Sequence, residues 1–356
     1  MSRWTHESKN AGMCPSKTAE SEGKQRKMMD AIIEKSKPPL IILTGPTAAG
    51  KTSLSIRLAK EVGGEIISAD SMQIYKKMNI GTAKIMPDEM EGIPHYLVDE
   101  LDPAEEFNVV EFQRRAKAAM KQIYENGHIP IVVGGTGFYI QALLYDVDFS
   151  RHDGEEEYRH ELTALAREKG KEYLYDILCQ VDPEYAAIVH SNNLKRVIRA
   201  LEYYHETGQK LSAHNLEQQE KNSPYSFAYF VLDLDREELY RRINLRVDLM
   251  MEHGLEREVR SLWEEGYGRN LVSMQGIGYK EFFDYFEGMC SLDDVADQIK
   301  KDTRHFAKRQ LTWFRREKDV QWIHKQDYAD EDEVLSKLLS CIKESNNHEH
   351  NLKELL

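Results

Sequence analysis

The sequence predicts an α/β protein with a mainly parallel sheet and a helical insertion. Short apolar runs with the pattern of buried strands alternate with helical patterns, which is typical of a parallel sheet covered by helices on both faces. Residues 151–222 contain no convincing strand and show helical periodicity instead. Because functional residues gather at the carboxyl ends of parallel strands in such folds, we expect the site at that edge of the sheet.

Five runs are predicted to be strands. The first leads through a small-residue loop into an amphipathic helix that reaches about Val62, and the second ends in a carboxylate. The third enters another glycine turn, and after the fourth the pattern is helical as far as Lys318. The runs cover residues 40–43, 65–70, 129–135, 227–235 and 320–324.

These patterns divide the chain into four parts. Residues 1–38 are polar and lack the apolar segment of a secretory signal, so we expect a disordered extension there. The sheet-bearing core is predicted to comprise residues 39–150 and 223–325, interrupted by the helical insertion at 151–222. Residues 326–356 are predicted to form a helix and a polar, frayed tail.

Composition indicates a globular protein of the cytoplasm. The chain has 356 residues, of which 41% are apolar and 31% charged. No stretch of about 18 apolar residues exists, so we expect no membrane span. The four cysteines show neither a CxxC pair nor paired Cys/His spacing, which indicates a reducing compartment and argues against a structural zinc site.

Charge alone argues against a nucleic-acid partner, but its distribution leaves that partner open. The formal net charge is −13, whereas phosphate backbones favour basic surfaces. Residues 300–318 nevertheless hold eight Lys and Arg against two acids, with Arg304, Lys308 and Arg315 on one helical stripe. "LKRVIR" at 194–199 is a second basic cluster. Solvated helix faces are the alternative interpretation of both clusters.

The small-residue loop fits the phosphate-binding pattern G-x-x-x-x-G-K-[ST]. This pattern arises by chance in roughly one chain in a hundred of this length, and here it also lies between a strand and a helix. It predicts a P-loop NTPase-like core in which backbone N–H groups and Lys51 bind phosphate oxygens, while the Thr52 hydroxyl can reach Mg²⁺. A plain glycine turn with a helix cap is the alternative. The loop comprises Gly45, Pro46, Thr47, Ala48, Ala49, Gly50, Lys51 and Thr52.

Asp70 closes the second predicted strand and is expected to face the same crevice as the loop. A small-molecule kinase could use an aspartate there as the base for a substrate hydroxyl. A helix N-cap or a magnesium ligand is the alternative role.

Seven segments of the sequence occur in the same order as in one protein family. "GPTAAGKT", "SADSMQIYKKMNIGTAK", "IPIVVGGTGFYIQALL", "LKRVIRALE", "RRINLRVDLMMEHGLEREVRSL", "QGIGYKE" and "KRQLTWFRRE" follow one another as in the tRNA dimethylallyltransferases, also called tRNA isopentenyltransferases. The resemblance extends from about Pro39 to Ile323. The missing zinc-type Cys/His set resembles the bacterial form of the family and not the longer eukaryotic form.

This resemblance implies an alkyl transfer. The dimethylallyl group of dimethylallyl diphosphate would move to N6 of the adenosine 3′ of a tRNA anticodon, and the P-loop with Mg²⁺ would hold the departing diphosphate. The family motifs map catalytic roles onto Asp70, Arg246, Thr136 and Lys51. On local pattern alone, Arg246 could be a surface arginine and Thr136 part of a tight turn.

The resemblance also implies contacts with the anticodon stem-loop of tRNA, from which the target adenosine must be flipped out. In the family the helical insertion is mobile and clamps the anticodon stem. Monomer is the default oligomeric state. The matching RNA-contact positions are Asp70, Ser71, Met72, Gln73, Thr136, Arg159, Lys195, Arg196, Val197, Ile198, Arg199, Gln275, Gly276, Ile277, Gly278, Tyr279 and Lys280.

Two other functions remain open at this stage. A P-loop kinase would show an arginine-rich lid, but the three arginines between Arg151 and Arg167 are diluted by five acids. A nucleotide-gated RNA-binding module would need switch segments that one sequence does not reveal.

Overall fold

One parallel sheet forms the centre of the molecule. The computed structural model describes residues 37–149 and 156–348. The strands are β1 (Pro39–Thr44), β2 (Gly64–Ala69), β3 (His95–Tyr96), β4 (Ile129–Gly134), β5 (Ser226–Asp233) and β6 (Val320–His324). They form a six-stranded sheet in the order β3-β2-β4-β1-β5-β6, and every neighbouring pair is parallel. The predicted fold class is therefore confirmed.

All five predicted strands are present, with ends that differ by at most two residues. The sequence analysis missed β3, which pairs only through His95 with Ile66 and Tyr96 with Ile67. Two residues of this type form no apolar run, so no periodic signal marks them.

Helices cover both faces of the sheet because alternate residues of each strand point to opposite sides. Leu40 and Ile42 of β1 belong to one apolar cluster, whereas Ile41 and Leu43 belong to the other. Both faces of the strand are buried. This two-sided burial explains why the strands are nearly continuous apolar runs in the sequence.

Helices connect the strands and extend the chain at its C-terminal end. They are α1 (Lys51–Val62), α2 (Val109–Glu125), α3 (Gly137–Leu144), α4 (Glu156–Lys169), α5 (Lys171–Val181), α6 (Pro183–Ala186), α7 (Leu194–Thr207), α8 (Leu211–Glu220), α9 (Arg236–Glu252), α10 (Leu255–Glu264), α11 (Phe282–Phe286), α12 (Leu292–Phe314) and α13 (Glu331–His348). Within the described ranges, no helix is both long and apolar enough to cross a bilayer.

Helices α4 to α8 share an apolar cluster of their own. Leu174 and Leu178 of α5 pack there with Val197 and Leu201 of α7, and all four are buried. This separate cluster agrees with a helical insertion at 151–222, although the division of the chain into domains stays a prediction. The expected disordered extension lies outside the described residues, apart from 37 and 38, and so do residues 349–356.

Helix α12 is the longest of the described helices and lies against the turns that follow β1 and β4. Its start is defined by a capping box, in which the Ser291 hydroxyl accepts from the Asp294 N–H and the Asp294 carboxylate accepts from the Ser291 N–H. Ala307, Gln310 and Phe314 form its buried stripe. This stripe brings a polar side chain, Gln310, into the middle of the fold.

Candidate active site

The phosphate-binding loop leaves β1 at the carboxyl edge of the sheet. A Cβ on Gly45 would lie 2.5 Å from the Leu232 carbonyl oxygen, so β5 leaves room only for glycine at this position. Ala48 and Gly50 have φ values of 64° and 84°, in the left-handed region. This conformation turns the chain directly into α1, whose unpaired N–H groups and helix dipole favour an anion.

Lys51 extends back along the loop. Its Nζ donates to the carbonyl oxygens of Gly45 at 2.9 Å and Pro46 at 2.8 Å. Burial, followed by the nearby charge of Arg246, lowers the pKa of Lys51 from 10.5 to about 8, and the negative charge of Asp70 opposes this shift. The charges of Lys51, Arg246 and Asp70, all predicted to be catalytic, are therefore close enough to affect one another.

Asp70 and Thr136 follow neighbouring strands. Asp70 comes directly after β2 and Thr136 lies shortly after β4, while Ala69 pairs with Gly134 in the sheet. The Thr136 N–H also donates to the Ala69 carbonyl at 3.2 Å, which joins the two turns. The carboxyl ends of adjacent parallel strands thus bring both side chains to the same crevice.

Each of these two residues combines a structural role with a side chain at the crevice. Asp70 Oδ1 accepts from the N–H groups of Met72 at 2.8 Å and Gln73 at 3.3 Å, so this side chain holds a turn, although no helix begins there. Thr136 is the N-cap of α3, but its hydroxyl makes no capping hydrogen bond. Both residues line the same cavity.

Arg246 on α9 also lines this cavity. Burial lowers its pKa, and the Asp70 carboxylate acts in the opposite direction. A guanidinium keeps its charge at ordinary pH even so. The alternative of a simple surface arginine is therefore wrong, since this cation is held at the cavity beside Asp70.

The cavity has a volume of about 510 Å³ and is lined by both polar and apolar side chains. Thr47, Asp70, Thr136 and Arg246 are among the polar ones. The volume lies in the range of small-molecule sites. The apolar walls consist of Phe107, Tyr139, Ile243, Val247, Met250, Ile299 and Phe306.

Aromatic packing holds one wall of the cavity in place. The Tyr139 ring stacks on Phe112 with centroids 4.6 Å apart and meets Phe107 edge-on at 5.7 Å. Tyr139 and Phe112 are buried, so the wall is part of the core. An unsaturated hydrocarbon chain fits such a wall without leaving polar groups unpaired.

Comparison with known proteins gives the family. The model of the family "IPP transferase" matches residues 73–317. The chain belongs to the IPP transferase family. A tRNA dimethylallyltransferase of Lachnoclostridium phytofermentans is 58% identical over 306 residues, which cover 86% of this chain and 98% of that relative. A tRNA dimethylallyltransferase of Bacillus cereus is 51% identical over 302 residues, 85% of this chain and 95% of the relative.

Solved structures of the IPP transferase family have the same fold. The tRNA isopentenylpyrophosphate transferase of Bacillus halodurans matches with a TM-score of 0.67 and 41% identity, over 88% of this chain and all of that one. A eukaryotic dimethylallyltransferase acting on tRNA matches with a TM-score of 0.75 and 30% identity, over 86% of this chain and 80% of that one. The resemblance inferred from the sequence blocks is confirmed.

The cavity brings together about half of the RNA-contact positions expected in an IPP transferase. The segment after β2 and the loop before α11 approach each other, and a Cβ on Gly276 would collide with the Met72 side chain. This close approach forms one rim of the cavity. The expected positions that line it are Asp70, Ser71, Met72, Thr136, Gln275, Gly276, Ile277, Gly278 and Lys280.

Three expected RNA contacts are corrected because their side chains are buried. Val197 and Ile198 point into the apolar cluster of the insertion. Tyr279 is fully buried, and its hydroxyl donates to Glu258 Oε1 at 2.7 Å. The motif blocks identified these segments correctly. However, Val197 and Ile198 lie on the buried face of α7, and the turn before α11 directs Tyr279 into the core.

Gln73 also has an internal role. Its Nε2 donates to the carbonyl oxygens of Thr82 at 3.4 Å and Ala83 at 3.2 Å, and Gln73 does not line the cavity. The expected reading of a base edge by this side chain is therefore not supported by its position.

The expected RNA-contact positions of the insertion are apart from the cavity. Lys195 and Arg196 are exposed on the first turn of α7, and Arg199 is half-buried. Arg159 forms a two-fold ion pair with the buried Glu202, with Nε–Oε1 at 2.6 Å and Nη2–Oε2 at 3.2 Å. Arg159 thus helps to hold α4 on α7, which limits its availability for RNA.

The basic stripe of α12 is partly paired. Arg304 donates to Asn244 Oδ1 at 2.6 Å and lies over the Tyr240 ring. Lys308 and Arg315 are exposed beside a second cavity of about 490 Å³. The stripe is therefore partly a helix–helix contact and partly a solvated face.

Proposed function

We propose that the protein transfers the dimethylallyl group of dimethylallyl diphosphate to N6 of the adenosine 3′ of the anticodon in tRNA, with release of diphosphate. The observation that carries this proposal is the cavity, where Thr47 of the anion-binding loop, Asp70 and apolar side chains meet. The membership of the IPP transferase family supports the same reaction.

The loop is suited to hold the leaving group. As the C1–O bond of the substrate breaks, negative charge grows on the diphosphate. The N–H groups at the start of α1, the Lys51 ammonium and the Arg246 guanidinium are the donors that can bind this charge. They bind a fragment that leaves the enzyme and is not passed to an acceptor.

Asp70 is suited to receive the proton of the nucleophile. N6 forms a bond to C1, the electrons of the C1–O bond leave with the diphosphate, and one N6 proton passes to the Asp70 carboxylate. Asp70 Oδ1 is held by two backbone N–H groups, so the carboxylate has a defined direction. The Thr136 hydroxyl, free of a capping bond, can contact the adenosine or the diphosphate beside it.

Magnesium fits this donor set only together with the substrate. The described residues contain no group of three or more His, Cys, Asp or Glu able to hold a metal ion. Mg²⁺ commonly takes one or two protein ligands and completes its octahedron with phosphate oxygens and water. We propose that the Thr52 hydroxyl would be one ligand of a Mg²⁺, which would help to neutralise the charge of the diphosphate.

The tRNA partner is expected to contact two surfaces. The rim residues Met72 and Lys280 would receive the flipped adenosine and its neighbours. The exposed Lys195 and Arg196 on the insertion would contact backbone phosphates of the anticodon stem. These local basic positions offset the overall negative charge of the chain.

The two other functions are less well supported. A kinase needs a γ-phosphate acceptor and an arginine lid, whereas Arg159, one of the three candidate lid arginines, is bound to Glu202. A binding module without chemistry does not explain why the Asp70 carboxylate and the Arg246 guanidinium both line this cavity and interact with the Lys51 ammonium.

A doubly labelled substrate tests the reaction. Dimethylallyl diphosphate carrying ¹⁴C in the allyl group and ³²P in the diphosphate is incubated with unmodified tRNA, Mg²⁺ and the protein. We expect ¹⁴C in tRNA and ³²P in free pyrophosphate. Phosphate transfer from ATP without ¹⁴C in tRNA would favour the kinase, and tRNA binding without either product would favour the binding module.

A further inference from the structure

Gln310 connects the two halves of the site. Its side chain is 6% exposed and lies on the buried stripe of α12. Its Oε1 accepts from the Thr47 N–H of the phosphate-binding loop at 3.0 Å. Its Nε2 donates to the Gly135 carbonyl oxygen at 2.9 Å, in the turn that carries Thr136.

The glycines of that turn show how closely α12 approaches it. A Cβ on Gly135 would collide with Gln310 Nε2, and a Cβ on Gly137 would collide with the Trp313 ring. Gln310 and Trp313 are three residues apart, so they lie on one face of the helix. The turn before α3 is therefore packed directly under α12.

The two bonds require an amide at position 310. One atom must accept from a backbone N–H and the other must donate to a backbone carbonyl, and glutamine supplies both at the end of one side chain. A carboxylate can only accept, and a hydrocarbon side chain would leave both buried backbone groups without this partner.

We propose that Gln310 is a positioning residue that sets the distance between the leaving-group site and the acceptor site. The inference depends on the proposed function, since it assigns diphosphate to the loop of Thr47 and the adenosine to the turn of Thr136. Thr47, Thr136 and four residues of α12 line the same cavity: Ile299, Thr303, Phe306 and Arg309. A shift of α12 would therefore alter the positions of both the diphosphate site and the adenosine site.

The expected consequence is a loss of rate more than of substrate affinity. Attack on the allylic carbon needs the reacting atoms about 3–3.5 Å apart, and a misplacement of about 1 Å can cost about 10²-fold in rate. The rim and insertion surfaces assigned to tRNA do not include Gln310. Binding of tRNA should accordingly survive the loss of its side-chain bonds.

Two substitutions and one matched control test this role. Gln310→Met keeps the length of the side chain and removes both bonds. Gln310→Glu keeps the acceptor for Thr47 and places an unpaired oxygen against the Gly135 carbonyl. Thr312→Ala is the control on the same helix, because Thr312 is exposed and its hydroxyl contacts only the carbonyl of its own helix at Lys308.

We expect Gln310→Met to lower kcat by about 10- to 100-fold, with the Kd for tRNA and the activity of Thr312→Ala within about twofold of the parent. The thermal stabilisation given by inorganic pyrophosphate should also decrease in Gln310→Met. For Gln310→Glu, the ratio of its kcat to that of the parent should rise as the pH is lowered, because the protonated acid donates again to Gly135.

The outcomes separate this inference from the proposed function. A parent protein without ¹⁴C transfer would contradict the proposed function itself. An active parent with a folded Gln310→Met of equal kcat would overturn the inference alone. If Gln310→Met does not fold, a Gln310→Glu ratio that stays constant with pH would overturn it instead, and so would an equal loss in Thr312→Ala.

Discussion

The ionisation of Lys51 should limit the reaction on its alkaline side. Burial and Arg246 lower the pKa of this ammonium from 10.5 to about 8, which corresponds to about 3 kcal/mol against the charged form. Only the charged form can bind the diphosphate strongly. At pH 9 roughly one molecule in ten would still carry the charge in the free enzyme, given a pKa of about 8.

The assay is the pH dependence of kcat/KM for dimethylallyl diphosphate at saturating tRNA, since this ratio reports ionisations of the form that binds the varied substrate. We expect a constant value below the bend and a tenfold fall per pH unit above about 8. The bend in the pH profile of kcat should lie at a higher pH than that of kcat/KM, because bound diphosphate stabilises the charged form of Lys51.

Lys51→Arg is the matched control. A guanidinium stays charged throughout the range, so the alkaline limb should disappear even if the overall rate is lower. Lys51→Ala should weaken diphosphate binding at every pH. A parent profile that is level from pH 7 to pH 10, or an alkaline limb that persists in Lys51→Arg, would refute the assignment of the limb to Lys51.

Three further variants test other parts of the site and the fold. Asp70→Asn keeps the acceptor for Met72 and Gln73 but cannot take a proton, so kcat should fall about 10²-fold or more while tRNA binding stays within about twofold; activity near that of the parent would remove Asp70 from proton transfer. Glu281 is buried beside Lys280 and Asp302, and burial raises the pKa of Glu281 from 4.5 to about 7, so its ionisation lowers the stability of the folded state as pH rises through that interval. Glu281→Gln should therefore stabilise the protein by up to about 3 kcal/mol at pH 8 and by much less at pH 4.5, as measured by urea unfolding; an equal effect at both pH values would contradict this. Gly134→Ala should lower the free energy of unfolding by about 1–3 kcal/mol because its Cβ would collide with the Ala69 carbonyl, whereas Gly268→Ala, next to only the Asn270 side chain, should change it little; equal effects would contradict the packing argument.

The sheet could be predicted because its physical cause is visible in the sequence. Strands buried on both faces must be apolar along their whole length, and β1 shows this in Leu40 to Leu43. The loop with Gly50 and Lys51 was visible for a similar reason, since phosphate binding demands a fixed local order of residue types. Asp70 follows from the rule that functional side chains follow the carboxyl ends of strands, whereas Thr136 was identified only by the resemblance to the family.

The walls of the cavity could not be predicted because they depend on long-range packing. Phe107 and Phe306 come from distant parts of the chain, and neither has a local motif that separates a cavity wall from ordinary core. The spacing of Ile299 and Phe306 indicates one face of a helix, but not what that face contacts. Gln310 was missed for the same reason, since its partners Thr47 and Gly135 are far away in sequence.

Burial also decides which residues of a motif can touch a substrate. In "LKRVIR" the exposed Lys195 and Arg196 are followed by the buried Val197 and Ile198, in agreement with the period of an amphipathic helix. A motif block marks the segment, but the fold determines which of its side chains are available.

The central claim is that the loop of Lys51 holds the departing diphosphate while Asp70 directs N6 onto the allylic carbon. The most direct test is a crystal structure with an anticodon stem-loop and a thiol analogue of dimethylallyl diphosphate that does not react. We expect the diphosphate on the N–H groups at the start of α1, and N6 within about 3–3.5 Å of both the Asp70 carboxylate and C1. A diphosphate bound away from this loop, or an adenosine whose N6 is out of reach of Asp70, would contradict the account.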